Sequence, residues 1–202
     1  MTSISYKGGH LWAVIAPLIL TLSNVARAAS DYCGTLPGPG FDQPPNRART
    51  GRYQNPTYGY AVEIPPNLTG YASAAGPERG FGIVLSWSPR AYLHVDAAYD
   101  MYFDIDATHV HRSDLVGMRL HDTVIDDHTE SSLLAKRRGG RYRTRVQCGA
   151  DSKVYVHDSV IVFVNREIYR LDLQTVEERY AADVEILNAM LRTWRWLRLP
   201  AR

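Results

Sequence analysis

The chain has 202 residues, 45% of them hydrophobic and 22% charged, with 23 Lys and Arg against 21 Asp and Glu. That length suits one medium domain with a real core, and that composition is globular, not disordered. The formal charge of +2 excludes nucleic acid as the default partner, and two cysteines exclude a cysteine-dense scaffold or a four-cysteine zinc site.

The first segment reads as a secretory signal peptide. Lys7 supplies positive charge, Leu11 to Leu20 is an uncharged apolar run, and Ala26-Arg27-Ala28 has the small-x-small pattern of a cleavage site after residue 28. The run falls short of the roughly 20 apolar residues that span a bilayer. Ser30-Asp31-Tyr32 before Cys33 is not a lipidation context. Nothing later is apolar enough to cross a membrane, so the expected location is periplasmic or extracellular. In that oxidising space Cys33 and Cys148 are expected to form one disulfide.

Residues 29–50 are rich in Pro, Gly and Arg and read as an irregular arm, followed by a single domain over 51–202. Tyr58 to Ile64 reads as a strand ended by Pro65-Pro66. Phe81, Ile83, Leu85 and Trp87 alternate with smaller residues, the pattern of a half-buried strand. Tyr92 to Ala97 follows, with His94 facing away from Leu93 and Val95. Residues 98–128 show no dominant period, although Ser113 or Asp114 suits the cap of a short helix. From Ser131 strands resume. Gly139-Gly140 reads as a hairpin turn between Leu133–Arg138 and Arg141–Cys148. Lys153–His157, Ser159–Val164 and Ile168–Thr175 come next, with a turn at Asn165-Arg166-Glu167. The last element is a helix from about Val176 to Leu197, with Tyr180, Val184, Leu187, Leu191 and Trp194 along one stripe. Hairpin-linked strands before an amphipathic helix predict an α+β fold: an antiparallel sheet with the C-terminal helix packed on it.

Two segments carry a family resemblance. Tyr53-Gln54-Asn55-Pro56-Thr57-Tyr58-Gly59-Tyr60-Ala61-Val62-Glu63-Ile64-Pro65 resembles the opening strand of PsbP-like and DcrB-like domains. Ile168 to Thr175, leading into a helix that closes on Leu191-Arg192-Thr193-Trp194-Arg195, is similar to their end. The resemblance spans roughly residues 53–197, with its motifs at the two ends. It implies an α/β/α sandwich and a non-enzymatic binding or accessory role, and it carries over no catalytic residues.

The chemistry-bearing residues are unevenly placed. Residues 94–128 hold five of the seven histidines and eight aspartates. On an extended segment His109 and His111 share a face, and with Asp106 or Asp114 they make a candidate zinc or copper site. The bland reading of the same window is a solvated polar loop or edge strand. Downstream, Lys136, Arg137 and Arg138 precede Arg141, Arg143 and Arg145, whose spacing of two puts them on one strand face. Arg138, Arg141, Arg143 and Arg145 form a candidate surface for an anionic partner, whether an unidentified protein or an anionic envelope component. The competing reading is a charged edge that blocks sheet-to-sheet aggregation. No nucleophile elbow, phosphate loop or His-Glu-x-x-His motif is present. The expectation is an exported non-catalytic binding or accessory module. The alternatives are a small metal-dependent enzyme and a secreted inhibitor or immunity protein.

Overall fold

The computed structural model describes residues 48–72, 79–85, 91–99, 123–149 and 151–197. The strands are β1 (Ala48–Arg49), β2 (Arg52–Asn55), β3 (Tyr60–Glu63), β4 (Gly70–Ala72), β5 (Phe81–Val84), β6 (Tyr92–Tyr99), β7 (Thr123–Leu134), β8 (Arg137–Gln147), β9 (Val154–Val164) and β10 (Glu167–Val176). The helix α1 (Glu177–Thr193) and the short β11 (Arg195–Trp196) complete the chain.

The large sheet has the order β1-β4-β5-β6-β10-β9-β8-β7. Beside the short β1, which pairs with β4, it consists of two meanders, β4-β5-β6 and β7-β8-β9-β10, joined where β6 pairs with β10 over Tyr92–Tyr99 and Glu167–Gln174. Every described strand pairing is antiparallel. A second sheet, β11-β3-β2, is small. The core lies between one face of the large sheet, α1 and this small sheet. Phe81, Ile83, Leu93, Val95, Val160, Val162, Leu171 and Leu173 project from the sheet into it, and Leu187 and Met190 reach it from the helix. The alternation read from Phe81 and Tyr92 onward is therefore the alternation between this covered face and the opposite one.

Aromatic rings join the two sheets. Trp194 stacks on Tyr60 with centroids 4.5 Å apart and an interplanar angle of 5°. Tyr169 meets Trp196 edge-on at 4.9 Å, and Tyr53 meets Phe81 at 4.7 Å. The Tyr169 hydroxyl donates to the Tyr58 carbonyl at 2.7 Å, and the Trp196 indole donates to the Ala135 carbonyl at 3.2 Å.

Three sequence expectations need correction. The hairpin between β7 and β8 turns at Ala135-Lys136, both in the left-handed region (φ 43 and 72), while Gly139 and Gly140 lie inside β8. A two-residue turn with both φ positive matches the right-handed twist of its strands. The glycines serve close approach instead. A Cβ on Gly139 would run into the Ile161 carbonyl of β9, and one on Gly140 would run into the Tyr142 ring. Next, residues 154–164 form one strand rather than two. Finally, the helix stops at Thr193, one turn short of the expectation, because Trp194 turns extended (φ −58, ψ 134) and drops its ring into the core. Arg195 and Trp196 then pair with β3. The buried line of α1 runs through Asp183, Leu187 and Met190, with Tyr180, Val184 and Leu191 half-buried beside it. Asp183 is tolerated there because the Thr175 hydroxyl donates to it at 2.5 Å and Arg179 lies 3.6 Å away.

Candidate functional site

The basic ribbon of β8 divides by strand parity. Arg141, Arg143 and Arg145 stand opposite Val160, Asp158 and Val156 of β9, so they point to the face that α1 covers. Asp158 is fully buried there. Its carboxylate accepts Arg141 Nε at 2.8 Å and a second guanidinium nitrogen at 2.6 Å, and also the Tyr180 hydroxyl of α1 at 2.7 Å. This bidentate geometry raises the pKa of Arg141. Burial and then the bond to Asp158 raise that of Tyr180, against a hydrogen bond from Arg143. Arg145 pairs with Glu177 at the start of α1. On the outer side, Asp126, His128 and Glu130 of β7 face Arg145, Arg143 and Arg141, with Glu130 4.0 Å from Arg141. These three arginines are thus engaged within the molecule.

Arg138 is different. It lies opposite Leu133 on the other parity, and with Lys136 and Arg137 it forms an exposed run of three cations around the hairpin turn. The free positive charge sits at 136–138 rather than along 141–145. The spacing in sequence could place Arg141, Arg143 and Arg145 on one face, but it could not show that Asp158, Tyr180 and Glu177 occupy them.

The opposite face of the large sheet carries a second charged group that the sequence did not single out. His94 on β6 stands opposite Asp172 on β10, and Asp96 stands opposite Arg170. Arg79 pairs with Asp96, and Arg170 donates to Asp172 at 3.3 Å. The Tyr92 hydroxyl donates to Gln174 at 3.2 Å in the next row. Burial alone would raise the Asp172 carboxyl, yet its pKa is lowered, because Arg170, a bond from Ser159 and His94 all favour its charge. Burial lowers the pKa of His94, outweighing Asp96 and Asp172, which pull it up, while Arg170 and Arg79 push it further down. Its Nε2 is buried without a hydrogen-bond partner. The alternation His94-x-Asp96 and Arg170-x-Asp172 is visible in the sequence, but the register that brings the two strands together is not.

A pH dependence follows. With its folded pKa below the ordinary value of 6.5, His94 binds its proton more readily in the unfolded chain. The stability it supports is complete above about pH 6.5 and falls as pH drops from there through the folded value. Urea midpoints measured from pH 8 to pH 5 are expected to decline below about 6.5, and His94→Gln is expected to flatten that decline. An identical decline in His94→Gln would assign it to other groups.

His109, His111, Asp106 and Asp114 lie outside the described residues, as does Cys33. Among the described residues, no group of three His, Cys, Asp or Glu side chains gathers in a metal-binding arrangement. Cys148 is fully buried at the end of β8, beside Val146, Tyr155 and Val176. No described helix is long and apolar enough to cross a membrane.

No family model matches the sequence, and no curated protein matches it. Solved structures do resemble the fold. The solution structure of cyanobacterial PsbP (CyanoP) from Synechocystis sp. PCC 6803 aligns with TM-score 0.53 and 15% identity, over 74% of this chain and 92% of that one. LpqN, involved in cell envelope biogenesis of Mycobacterium tuberculosis, aligns with TM-score 0.49 and 10% identity, over 76% and 93%. The Saccharomyces cerevisiae Ran-binding protein Mog1p aligns with TM-score 0.47 and 9% identity, over 74% and 96%. The antiparallel sheet, the C-terminal helix crossing its apolar face and the strand that follows the helix give this chain a PsbP-like fold.

Proposed function

We propose that this chain is an exported, non-catalytic binding or accessory module that meets an anionic envelope component through the hairpin tip Lys136-Arg137-Arg138. The observation that carries the reading is the division of the basic cluster. Arg141 and Arg145 hold carboxylates and Arg143 holds Tyr180, whereas the three tip cations are exposed on a turn of fixed geometry. Clustered cations on a rigid projection concentrate positive potential where an anionic surface can reach it. Export rests on the signal-like segment before residue 29, and it gives the cysteines their role. A Cys33–Cys148 disulfide would anchor the N-terminal arm to the end of β8 and add about 4–5 kcal/mol in the chain-entropy account. The α/β/α form belongs to the same proposal, since the polar face bearing His94 and Asp172 is half-buried rather than open.

The test is co-sedimentation of the exported chain with phosphatidylglycerol-rich vesicles against phosphatidylcholine vesicles. Binding to the anionic vesicles alone, weakening with salt, is expected. Each cation near such a surface contributes about 1 kcal/mol. Reversing all three (Lys136→Glu, Arg137→Glu, Arg138→Glu) removes three attractions and adds three repulsions, and is therefore expected to weaken binding at least about 100-fold. Arg195→Glu, an exposed cation on β11, should leave binding nearly unchanged. Equal recovery of the wild type and the triple variant would overturn the reading.

A further inference from the structure

Leu133 is the most exposed large hydrophobic residue among those described, at 66%. It lies just before the Ala135-Lys136 turn and directly opposite Arg138, so the two side chains share a face of the β7–β8 hairpin. Lys136 and Arg137 are exposed beside them, and the sequence from Ser131 to Ala150 contains no acidic residue. Leu133 cannot fold inward. Its neighbour Leu134 is fully buried in the core, and strand alternation sends Leu133 the other way. The turn is held as well, because the Ala135 carbonyl accepts the Trp196 indole and Gly139 lies close against the Ile161 carbonyl. A lone exposed leucine is ordinary on a protein surface. This one is fixed among three cations.

We infer that the anionic component met by the tip is the surface of a phospholipid bilayer, with Leu133 inserted at the edge of the acyl chains and Lys136, Arg137 and Arg138 on the lipid phosphates. This rests on the reading of the tip as an anionic contact and adds the partner's chemistry to it. A soluble polyanion would satisfy the cations and leave Leu133 in water. An anionic bilayer satisfies both, since binding at its surface combines the apolar area buried with the attraction of cations to the headgroups. The dimensions agree. Leu133 is two strand residues from the turn, about 7 Å. A hairpin tilted onto its Leu133 face therefore brings the leucine and the three cations to the interface together. There the apolar side chain enters the boundary between headgroups and acyl chains, and the long Lys and Arg side chains keep their charges among the phosphates.

The test uses the exported chain with vesicles of mixed phosphatidylglycerol and phosphatidylcholine. Leu133→Ser is expected to weaken binding about tenfold, the apolar share of a largely exposed leucine that becomes buried. That ratio should persist at higher salt, which screens the cations and not the leucine. Ile125→Ser, about 26 Å away along β7, should bind like the wild type. Leu133→Trp reports insertion directly. Lipids brominated on their acyl chains should quench its emission more than that of the wild type, while Ile125→Trp should show no added quenching. These substitutions fall on exposed side chains, so the circular dichroism spectrum should not change. Leu133→Ser that binds as tightly as the wild type, or Leu133→Trp quenched no more than Ile125→Trp, would overturn the inference. If reversal of the charges at 136–138 still weakens binding in that case, the cationic tip stands and its partner is met by charge alone. A wild type that ignores the anionic vesicles overturns both.

Discussion

Trp194→Ala is expected to destabilise the protein by about 3–5 kcal/mol, the range for deleting a large buried ring. Urea denaturation followed by circular dichroism would show a lower midpoint at an unchanged slope. The cost is at the high end because the ring does more than fill space. It lies flat on Tyr60 of β3 and edge-on to Tyr169 of β10 at 6.2 Å, so its loss opens a void where the small sheet, α1 and the large sheet meet. The surroundings collapse poorly around such a void, because Tyr60 and Tyr169 are held by hydroxyl bonds to the Arg79 and Tyr58 carbonyls. Trp194 Nε1 is buried without a partner, so Trp194→Phe forfeits ring area and no hydrogen bond. That variant should cost roughly half as much or less. A loss below about 1 kcal/mol for Trp194→Ala would mean that the small sheet is held by other contacts.

The second large effect lies at Asp158. Asp158→Leu removes the acceptor shared by Arg141 and Tyr180 and leaves a half-buried guanidinium beside an apolar side chain. Breaking such a pair from one side costs about 3–5 kcal/mol, because the remaining charge loses its partner. Replacing both members is a different experiment. Asp158→Leu with Arg141→Met exchanges the ion pair for apolar packing of similar volume, a change that is often close to neutral. The double variant is therefore expected to recover most of the loss, and a double-mutant cycle in urea should give strongly non-additive energies. Additive losses would show that the pair is not coupled. The recovered variant should also keep the vesicle binding assigned to residues 136–138, since Arg141 is engaged inside the fold.

Legibility of the fold followed burial. Strands β5, β6 and β10 were readable because one face of each enters the core, which forces apolar residues onto every second position. Strand β7 was not. Thr123 to Ser131 has both faces exposed, so nothing selects an alternation: the strand was legible only from Ser131, and before that a solvated loop and an edge strand read alike. The hairpin turn was hidden because Ala135-Lys136 takes positive φ without the Asn or Gly that normally advertises it, while Gly139-Gly140 advertised a turn it does not make. The helix end was missed because Trp194 continues the stripe of Leu187 and Leu191 by spacing, yet reaches the core in an extended conformation. For the site, parity along β8 was readable and partnership was not. Asp158 and Tyr180 come from other elements, and only the β8–β9 register and the path of α1 bring them to Arg141 and Arg143. The same holds for His94 and Asp172, which meet through the junction of the two meanders.

The hydrogen bond from Trp196 to the Ala135 carbonyl gives the molecule a built-in optical reporter. Its half-buried indole is tied to the backbone at the residue that precedes the three tip cations. Charge arriving at Lys136, Arg137 or Arg138 alters the field at that indole, so its emission wavelength should shift when the tip is occupied. Trp196→Phe would isolate that signal from those of Trp87 and of Trp194, the latter deeper and stacked on Tyr60. Occupancy of the hairpin can then be followed by intrinsic fluorescence, with no label attached to the surface under study.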